Sequence, residues 1–263
     1  MTVLIMTDLE GISGVDQWEQ VHQHNWEGEE LAFRRLMADT NAAVEGAVRA
    51  GADKIYVVDG HGSGKNFIPG LLDSRATQLS GPEFCDIFKR EKIDAYLEIG
   101  LHAKPGTPGA FLEHVQSSAS WFAFRINGQD YGELAQGALF AGAYNVPFVM
   151  ISGDNVVCQE ARQCLGEKVA CAEVKRGFSW KRAESIDWQE AEARIRDAAE
   201  DGIRRRAEIE PFRLPLPLTI EVTFLRADIC EQVAQDRPDL ERVDSRTLRR
   251  VSEQIETYYD VLL

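Results

Sequence analysis

The residues with the clearest chemical potential lie directly after the first apolar run of the chain. Residues 3–6 (VLIM) read as a buried strand, and Asp8 and Glu10 follow it. Residues two apart on an extended backbone point to the same side of the chain. Two carboxylates on one side repel each other unless a proton or a cation lies between them. The spacing therefore favours a metal site at the end of this strand.

Three further side chains of metal-ligand type lie at the ends of predicted elements. His61 and His102 follow predicted strands, and Glu133 begins a predicted helix. Parallel α/β sheets place ligand sites beyond the carboxyl ends of their strands, so residues distant in sequence can converge there. Carboxylates and imidazoles in this mixture suit Zn²⁺, with Mn²⁺ or Co²⁺ as further candidates. Five ligand residues exceed the need of one tetrahedral ion, whereas two ions that share a bridging Asp would use them all.

Each of these residues also has a purely structural interpretation. A lone His at a strand end is more often a hydrogen-bonding residue than a metal ligand. Glu133 in a first helical turn favours the helix dipole, and Asp8 and Glu10 can cap the turn that follows them. The occurrence of all five together is what indicates a metal centre.

The remaining histidines are weaker candidates. His114 lies a dozen residues after His102 and could act as a general acid, a general base or a nucleophile, the alternative being a surface-loop His. His22 and His24 form an H-x-H pair that suits metal binding on a strand. Because Gln and Glu residues surround this pair, we interpret it as part of a solvated loop, the alternative being that it lines a substrate pocket.

Segment 59–66 (DGHGSGKN) superficially resembles a phosphate-binding P-loop. Asp59 stands where that motif has its first Gly, and Asn66 stands where it has Ser or Thr. Both differences affect atoms that would cradle phosphate or Mg²⁺, so a nucleotide site is not expected. The glycines instead predict a tight backbone turn around His61.

The elements that must position these residues alternate along the first two thirds of the chain. Helix patterns cover 29–50, 82–91 and 133–144, and strand patterns cover 55–58, 94–99, 121–126 and 146–151, with a hairpin turn at 127–128. This alternation predicts a three-layer α/β/α fold around a mainly parallel, mixed sheet.

The pattern changes after about residue 175. It predicts an amphipathic helix from Trp188 with Ser185 as its cap, a half-buried strand at 218–224 and a final helix over 246–261. We therefore expect an α/β metal-binding catalytic domain over 1–175. A smaller α+β region over 176–263 is appended to it, or forms one continuous domain with it.

The amino-acid composition argues against two classes of binding partner. In 263 residues with 44% hydrophobic content, 43 acidic residues exceed 29 basic ones, and the formal charge is −14. Such a surface repels nucleic acid and anionic membranes. No apolar stretch reaches the ~18 residues of a membrane span. Five cysteines, an odd number without a C-x-x-C pair, favour free thiols in a reducing compartment. With no signal peptide recognised at the N-terminus, we expect a cytoplasmic protein.

Taken together, the motifs resemble those of the zinc D-aminopeptidase family, whose members were once described as dipeptide transport proteins. The resemblance covers roughly residues 1–155, in the family's order and close to its spacing. It rests on DLEGISG at 8–14, DGH at 59–61, GLHAKPGTPG at 100–109, GEL at 132–134 and SGDN at 152–155.

The resemblance implies two zinc ions per chain and a catalytic His at His114. The implied zinc ligands are Asp8, Glu10, His61, His102 and Glu133. Segment 110–113 places one more residue before His114 than the family pattern has. Family members assemble into large rings, so the resemblance also implies a homo-oligomer, a ring-shaped decamer.

The sequence thus predicts a metallo-aminopeptidase that hydrolyses the N-terminal amide bond of short peptides, with a D-residue first. Lys104 is a candidate partner for the oxyanion of the substrate. One alternative is a dinuclear metallohydrolase of another amide or of a phosphoester, against which the acidic composition and the imperfect P-loop argue. Another is a non-enzymatic peptide-binding protein that accompanies a transporter.

Overall fold

The computed structural model describes residues 1–21 and 26–263, with only the backbone described at residue 26. Residues 22–25 lie outside this description, and with them the His22–His24 pair. The strands are β1 Thr2–Thr7, β2 Lys54–Asp59, β3 Ala76–Leu79, β4 Ala95–Leu101, β5 Trp121–Ile126, β6 Gln129–Asp130, β7 Phe148–Asp154, β8 Ala170–Ser179, β9 Arg182–Ser185, β10 Leu218–Phe224, β11 Glu241–Arg242 and β12 Thr247–Ser252. The α-helices are α1 Trp26–Arg49, α2 Gly81–Arg90, α3 Glu133–Ala143, α4 Asn155–Leu165, α5 Trp188–Arg204 and α6 Ala227–Asp236. Across these residues, no helix has the length and apolar character needed to cross a bilayer.

The main sheet has the strand order β3-β2-β1-β4-β7-β8-β9, in which every pair is parallel except β8 with β9. Alternate residues of β1 enter different apolar cores: Val3 and Ile5 pack with α1 and α5, and Leu4 and Met6 pack with α2 and α3. Such strands are buried on both faces, which is why they read as continuous apolar runs. The predicted α/β/α fold with a mainly parallel, mixed sheet is confirmed.

β1 occupies the point where the chain reverses its direction across the sheet. The chain runs outward from β1 to β2 and β3, then crosses back to place β4 on the other side of β1. At such a position the loops that follow the two neighbouring strands, here β1 and β4, lead to opposite faces of the sheet. A crevice therefore opens beyond the carboxyl ends of these two strands. Asp8 and Glu10 follow β1, and His102 follows β4, so all three lie at this crevice.

A second, antiparallel sheet has the order β11-β12-β10-β5-β6. The predicted hairpin at 127–128 joins β5 to β6 and belongs to this sheet. The sheet therefore joins strands from both sides of the predicted boundary at residue 175, and the division into two domains stays a prediction.

Two local predictions in the C-terminal region are wrong. The segment predicted as a final helix over 246–261 contains β12, whose residues pair with β10 from Leu218↔Ser252 to Thr223↔Thr247, and a short 3-10 helix at Tyr258–Val261. Pairing with β10 overrides a local spacing that also fits a helix. Helix α5 is capped by Asp187, whose carboxylate accepts hydrogen bonds from the backbone N–H groups of Gln189 and Glu190, and not by Ser185.

Candidate metal centre

The first group of ligand-type atoms combines the loop after β1 with the turn after β2. His61 Nδ1 lies 3.0 Å from Asp8 Oδ1 and 3.0 Å from Glu10 Oε2. Asp8 and Glu10 are buried, and His61 is half-buried. One ligand atom from each of the three lies within 4.8 Å of the others, which is close enough to share one ion.

The second group combines the end of β4 with the start of α3. His102 Nε2 lies 3.2 Å from Glu133 Oε1 and 3.5 Å from Asp8 Oδ2. The two oxygens of Asp8 therefore contact histidines of different groups. This is the arrangement expected of a carboxylate that bridges two cations.

The donor set fits divalent cations. Asp8 Oδ2, Glu10 Oε2 and His102 Nε2 are buried and make no regular hydrogen bond within the described residues. His102 Nε2 lies 3.5 Å from Asp8 Oδ2, and Glu10 Oε2 lies 3.0 Å from His61 Nδ1. Buried polar atoms without partners are costly unless something else satisfies them. His102 Nδ1 lies 3.0 Å from the carbonyl oxygen of Ala103, to which it donates, and this fixes the tautomer that leaves Nε2 free as a ligand. Carboxylate oxygens with imidazole nitrogens suit Zn²⁺.

The pKa values of the cluster residues also indicate that positive charge stabilises the cluster. Burial, followed by the Glu10 carboxylate, raises the pKa of Asp8 to about 6. Burial acts to lower the pKa of His61 and of His102, but the surrounding carboxylates, chiefly Glu10 for His61 and Glu133 for His102, raise both well above the ordinary value. Imidazolium protons therefore neutralise the carboxylates where no metal ion does.

The loop that carries Asp8 and Glu10 is held by a buried lysine that the sequence analysis did not find. Lys175 Nζ donates to the carbonyl oxygens of Glu10, at 2.7 Å, and Val15. Burial lowers the pKa of Lys175 to about 8, although nearby carboxylates, first Asp154, act to raise it. A bulge between β7 and β8 leaves Val174 and Lys175 both buried, so the alternation of β8 breaks at this point. In the sequence, Lys175 takes a polar position of the regular alternation, so no local pattern identifies it as buried.

A second buried contact holds the same loop from α1. The Asp39 carboxylate accepts hydrogen bonds from the backbone N–H of Ser13, at 2.8 Å, and from its hydroxyl group, at 2.7 Å. Arg35 Nη2 lies 3.1 Å from the same carboxylate and donates to the Ser13 hydroxyl oxygen at 2.7 Å. The loop is therefore fixed before any metal ion binds.

His114 lies against the second group. Its ring stacks on that of His102 with centroids 3.9 Å apart, and it can share an ion with His102 and Glu133. His114 Nδ1 donates to the Leu112 carbonyl at 2.8 Å, which leaves Nε2 free. The longer loop before His114 is packed: Phe111 and Leu112 are buried, and their N–H groups donate to Asp154 and to the Trp180 carbonyl.

Lys104 is not brought to the cluster. Its ammonium lies 3.4 Å from the carbonyl oxygen of Asp130, and its backbone N–H donates to Glu160. Its assignment as an oxyanion partner stays a prediction, as does the catalytic role of His114.

A cavity of about 1050 Å³ opens beside the cluster. Asp8, Glu10, His61, His114 and Glu133 line it, so the candidate ligands face a space large enough for a small organic substrate. His102 is 3% exposed and lies behind them.

A buried cluster of carboxylates and imidazoles, placed at the crevice of an α/β sheet and open to a cavity, defines a protein with a candidate divalent-metal centre. The family model of the D-aminopeptidases matches residues 1–263, and the chain belongs to the D-aminopeptidase family. The resemblance found in the sequence is thereby confirmed.

Two relatives extend the comparison. A D-aminopeptidase of Bacillus subtilis (strain 168) is 26% identical over 233 residues, which cover 85% of this chain and 81% of the relative. The solved structure of DppA, a Zn-dependent D-aminopeptidase of Bacillus subtilis described as a self-compartmentalizing protease, has a TM-score of 0.89 at 21% identity. The match covers 99% of this chain and 95% of that one. At this level of identity the likeness shows the fold.

Proposed function

We propose that this protein is a zinc aminopeptidase that uses two metal ions to remove a D-amino acid from the amino end of short peptides. The observation that carries the proposal is the convergence of five ligand-type side chains, among them Asp8, whose two oxygens contact different histidines. Membership of the D-aminopeptidase family supports the reaction type, and the zinc dependence of the Bacillus subtilis protein supports the choice of metal.

The five residues fit two ions, with Asp8 between Glu10 and His61 on one side and His102 and Glu133 on the other. When bound, such ions would lower the pKa of a water molecule to about 7 and polarise the scissile carbonyl group. The substrate's amino group would bind at one of these ions or at a nearby carboxylate, which restricts cleavage to the amino end of the peptide.

His114 is the residue that we assign to proton transfer. Its Nδ1–H is held by the Leu112 carbonyl, so Nε2 can receive a proton and give it to the leaving amine. A nucleophilic attack by the same atom on the carbonyl group is the alternative. Trapping of an acyl-enzyme by rapid quenching and mass spectrometry would support the alternative, whereas its absence during turnover supports proton transfer.

The metal assignment is tested with variants that each remove one candidate ligand. Glu10→Gln, Glu133→Gln and His61→Ala should each lose bound zinc, measured by inductively coupled plasma mass spectrometry, and lose turnover. Glu208→Gln is the matched control, because Glu208 is exposed and pairs only with Lys168, at 3.8 Å, in the described part of the chain. Wild-type protein that holds fewer than two zinc ions per chain would contradict the dinuclear site.

The substrate assignment is tested with paired D- and L-aminoacyl amides, with and without a chelator. We expect the D-series to be hydrolysed and the chelator to stop the reaction. Hydrolysis of the L-series alone would refute the stereochemical assignment. Absence of hydrolysis in both series, with peptide binding retained, would favour the transport-accessory alternative.

We also propose a cytoplasmic location and a ring-shaped homo-decamer. The description of the Bacillus subtilis protein as self-compartmentalizing supports a closed assembly. Light scattering after size-exclusion chromatography should give a mass ten times that of the chain, and a monomer would contradict this part of the proposal.

A further inference from the structure

The turn that carries His61 is locked by side-chain hydrogen bonds. The Asp59 carboxylate accepts from the Asn66 backbone N–H at 2.6 Å and from its amide Nδ2 at 3.0 Å. Asn66 Nδ2 also donates to the His61 carbonyl at 2.8 Å. Gly62 and Gly64 have positive φ values of 57° and 68°, which the closed turn requires. His61 and the intervening Lys65 are therefore presented by one rigid turn, the segment that superficially resembles a P-loop.

Lys65 gives the cavity a positive charge. Among the described residues that line the cavity it is the only Lys or Arg, whereas Asp8, Glu10, Asp59 and Glu133 contribute carboxyl groups. Across residues 1–21 and 26–263, Lys65 forms no ion pair and no hydrogen bond through its side chain. An exposed lysine without a partner is ordinary on a protein surface, but this one faces the cavity that a substrate must enter.

A short peptide brings two opposite charges into this cavity. Its amino group is held at the metal cluster, whereas its free carboxylate is repelled by Asp59, which is not a proposed metal ligand, and by the net charge of −14. In a dipeptide or tripeptide that carboxylate lies only about 4–7 Å from the scissile bond, given the spacing of residues in an extended chain. Lys65 lines the same cavity, and its ammonium group can supply a charge-assisted hydrogen bond to this carboxylate.

From these observations we infer that Lys65 binds the C-terminal carboxylate of the substrate, so that the site selects short peptides with a free carboxyl end over peptide amides. This inference rests on the proposed aminopeptidase function and adds the residue that distinguishes a short peptide with a free carboxylate from its amide.

The test compares D-alanylglycine with D-alanylglycinamide as substrates of the zinc-loaded protein. Lys65→Met keeps the apolar stem, Lys65→Arg keeps the charge, and Lys92→Met, at a 92% exposed side chain outside the cavity, is the control. Lys65→Met should lower kcat/KM for the free acid about tenfold, mainly through KM, and change that for the amide less than about twofold. Lys65→Arg should recover most of the loss, and Lys92→Met should behave as wild type.

Equal losses on both substrates, or an unchanged ratio of acid to amide, would overturn the inference. If the wild type cleaves neither substrate, the proposed function fails while the inference remains testable by calorimetry of the same two peptides. Tighter binding of the acid by the wild type, lost in Lys65→Met, would then support carboxylate recognition, and equal affinities would refute it.

Discussion

Gly11→Ala tests whether the backbone contact between the loop after β1 and the end of β4 sets the geometry of the metal centre. Gly11 N–H donates to the Gly100 carbonyl at 2.6 Å. A Cβ atom at residue 11 would lie 2.2 Å from the Leu101 carbonyl oxygen and 2.4 Å from the Gly100 carbonyl carbon. Because both clashes are with backbone, no side chain can rotate away to relieve them.

The expected magnitude follows from these distances. The two segments must separate by roughly 0.8 Å before the shortest contact reaches 3.0 Å. Overpacking of this kind costs about 1–3 kcal/mol, and the weakened hydrogen bond adds about 1 kcal/mol. The same separation would move Asp8 and Glu10 away from His102, although metal ligands tolerate displacements of only about 0.5 Å. We therefore expect zinc affinity to fall about 10–100-fold, as it does when groups that support metal ligands are removed.

The assay combines urea unfolding of the metal-free protein with zinc titration against a chromophoric chelator. Gly81→Ala is the control, since a Cβ atom there meets nothing within 4 Å and the residue is not at positive φ. Gly60→Ala, with a milder contact of 2.8 Å to the Thr7 carbonyl oxygen, should give an intermediate effect and covers the case in which Gly11→Ala does not fold. Wild-type stability and zinc affinity in Gly11→Ala would refute the reasoning.

Three further predictions concern the charges around the site. Lys175→Met leaves the buried carbonyl groups of Glu10 and Val15 without their hydrogen-bond donor. The free energy of unfolding, measured with urea, should therefore fall by about 2–4 kcal/mol, and zinc should bind about tenfold more weakly. Unchanged zinc affinity would show that Lys175 does not position the loop. Because the carboxylates raise the pKa of His61 and His102, protons compete with metal ions for these residues. Zinc affinity should therefore fall as the pH falls, starting above about 6.5. Calorimetry in buffers of different ionisation enthalpy should detect proton release on zinc binding, and pH-independent binding would contradict this prediction. Chelation should remove about 2.7 kcal/mol of stability relative to protein at a free zinc concentration of about 100 times Kd, which lowers Tm by about 5–10 °C, and an unchanged Tm would show that zinc does not bind the folded state preferentially.

The strand ends were predictable from sequence because buried parallel strands leave a continuous apolar signal. Residues 3–6 and 55–58 carry this signal, and the residues after each run could be placed at one edge of the sheet without any knowledge of contacts. The convergence of Asp8, His61 and His102 follows from that topology.

The groups that support the site were not predictable in the same way. Lys175 and Asp39 are charged residues far from the ligands in sequence, and local pattern cannot distinguish a buried charge from a surface one. The helix predicted over the C-terminal segment was wrong for a related reason. Leu248, Val251 and Ile255 fit helical spacing, and only pairing with β10 makes this segment the strand β12.

The crevice beside β1 and β4 arises from the order of the strands and would exist with other side chains at its rim. Residues of the surrounding loops, such as Lys65 and the 117–119 segment, shape the space without carrying the packing of the sheet. The selectivity for peptides should therefore be open to redesign through the residues at the rim, while β1, β4 and the glycines beside them are left unaltered.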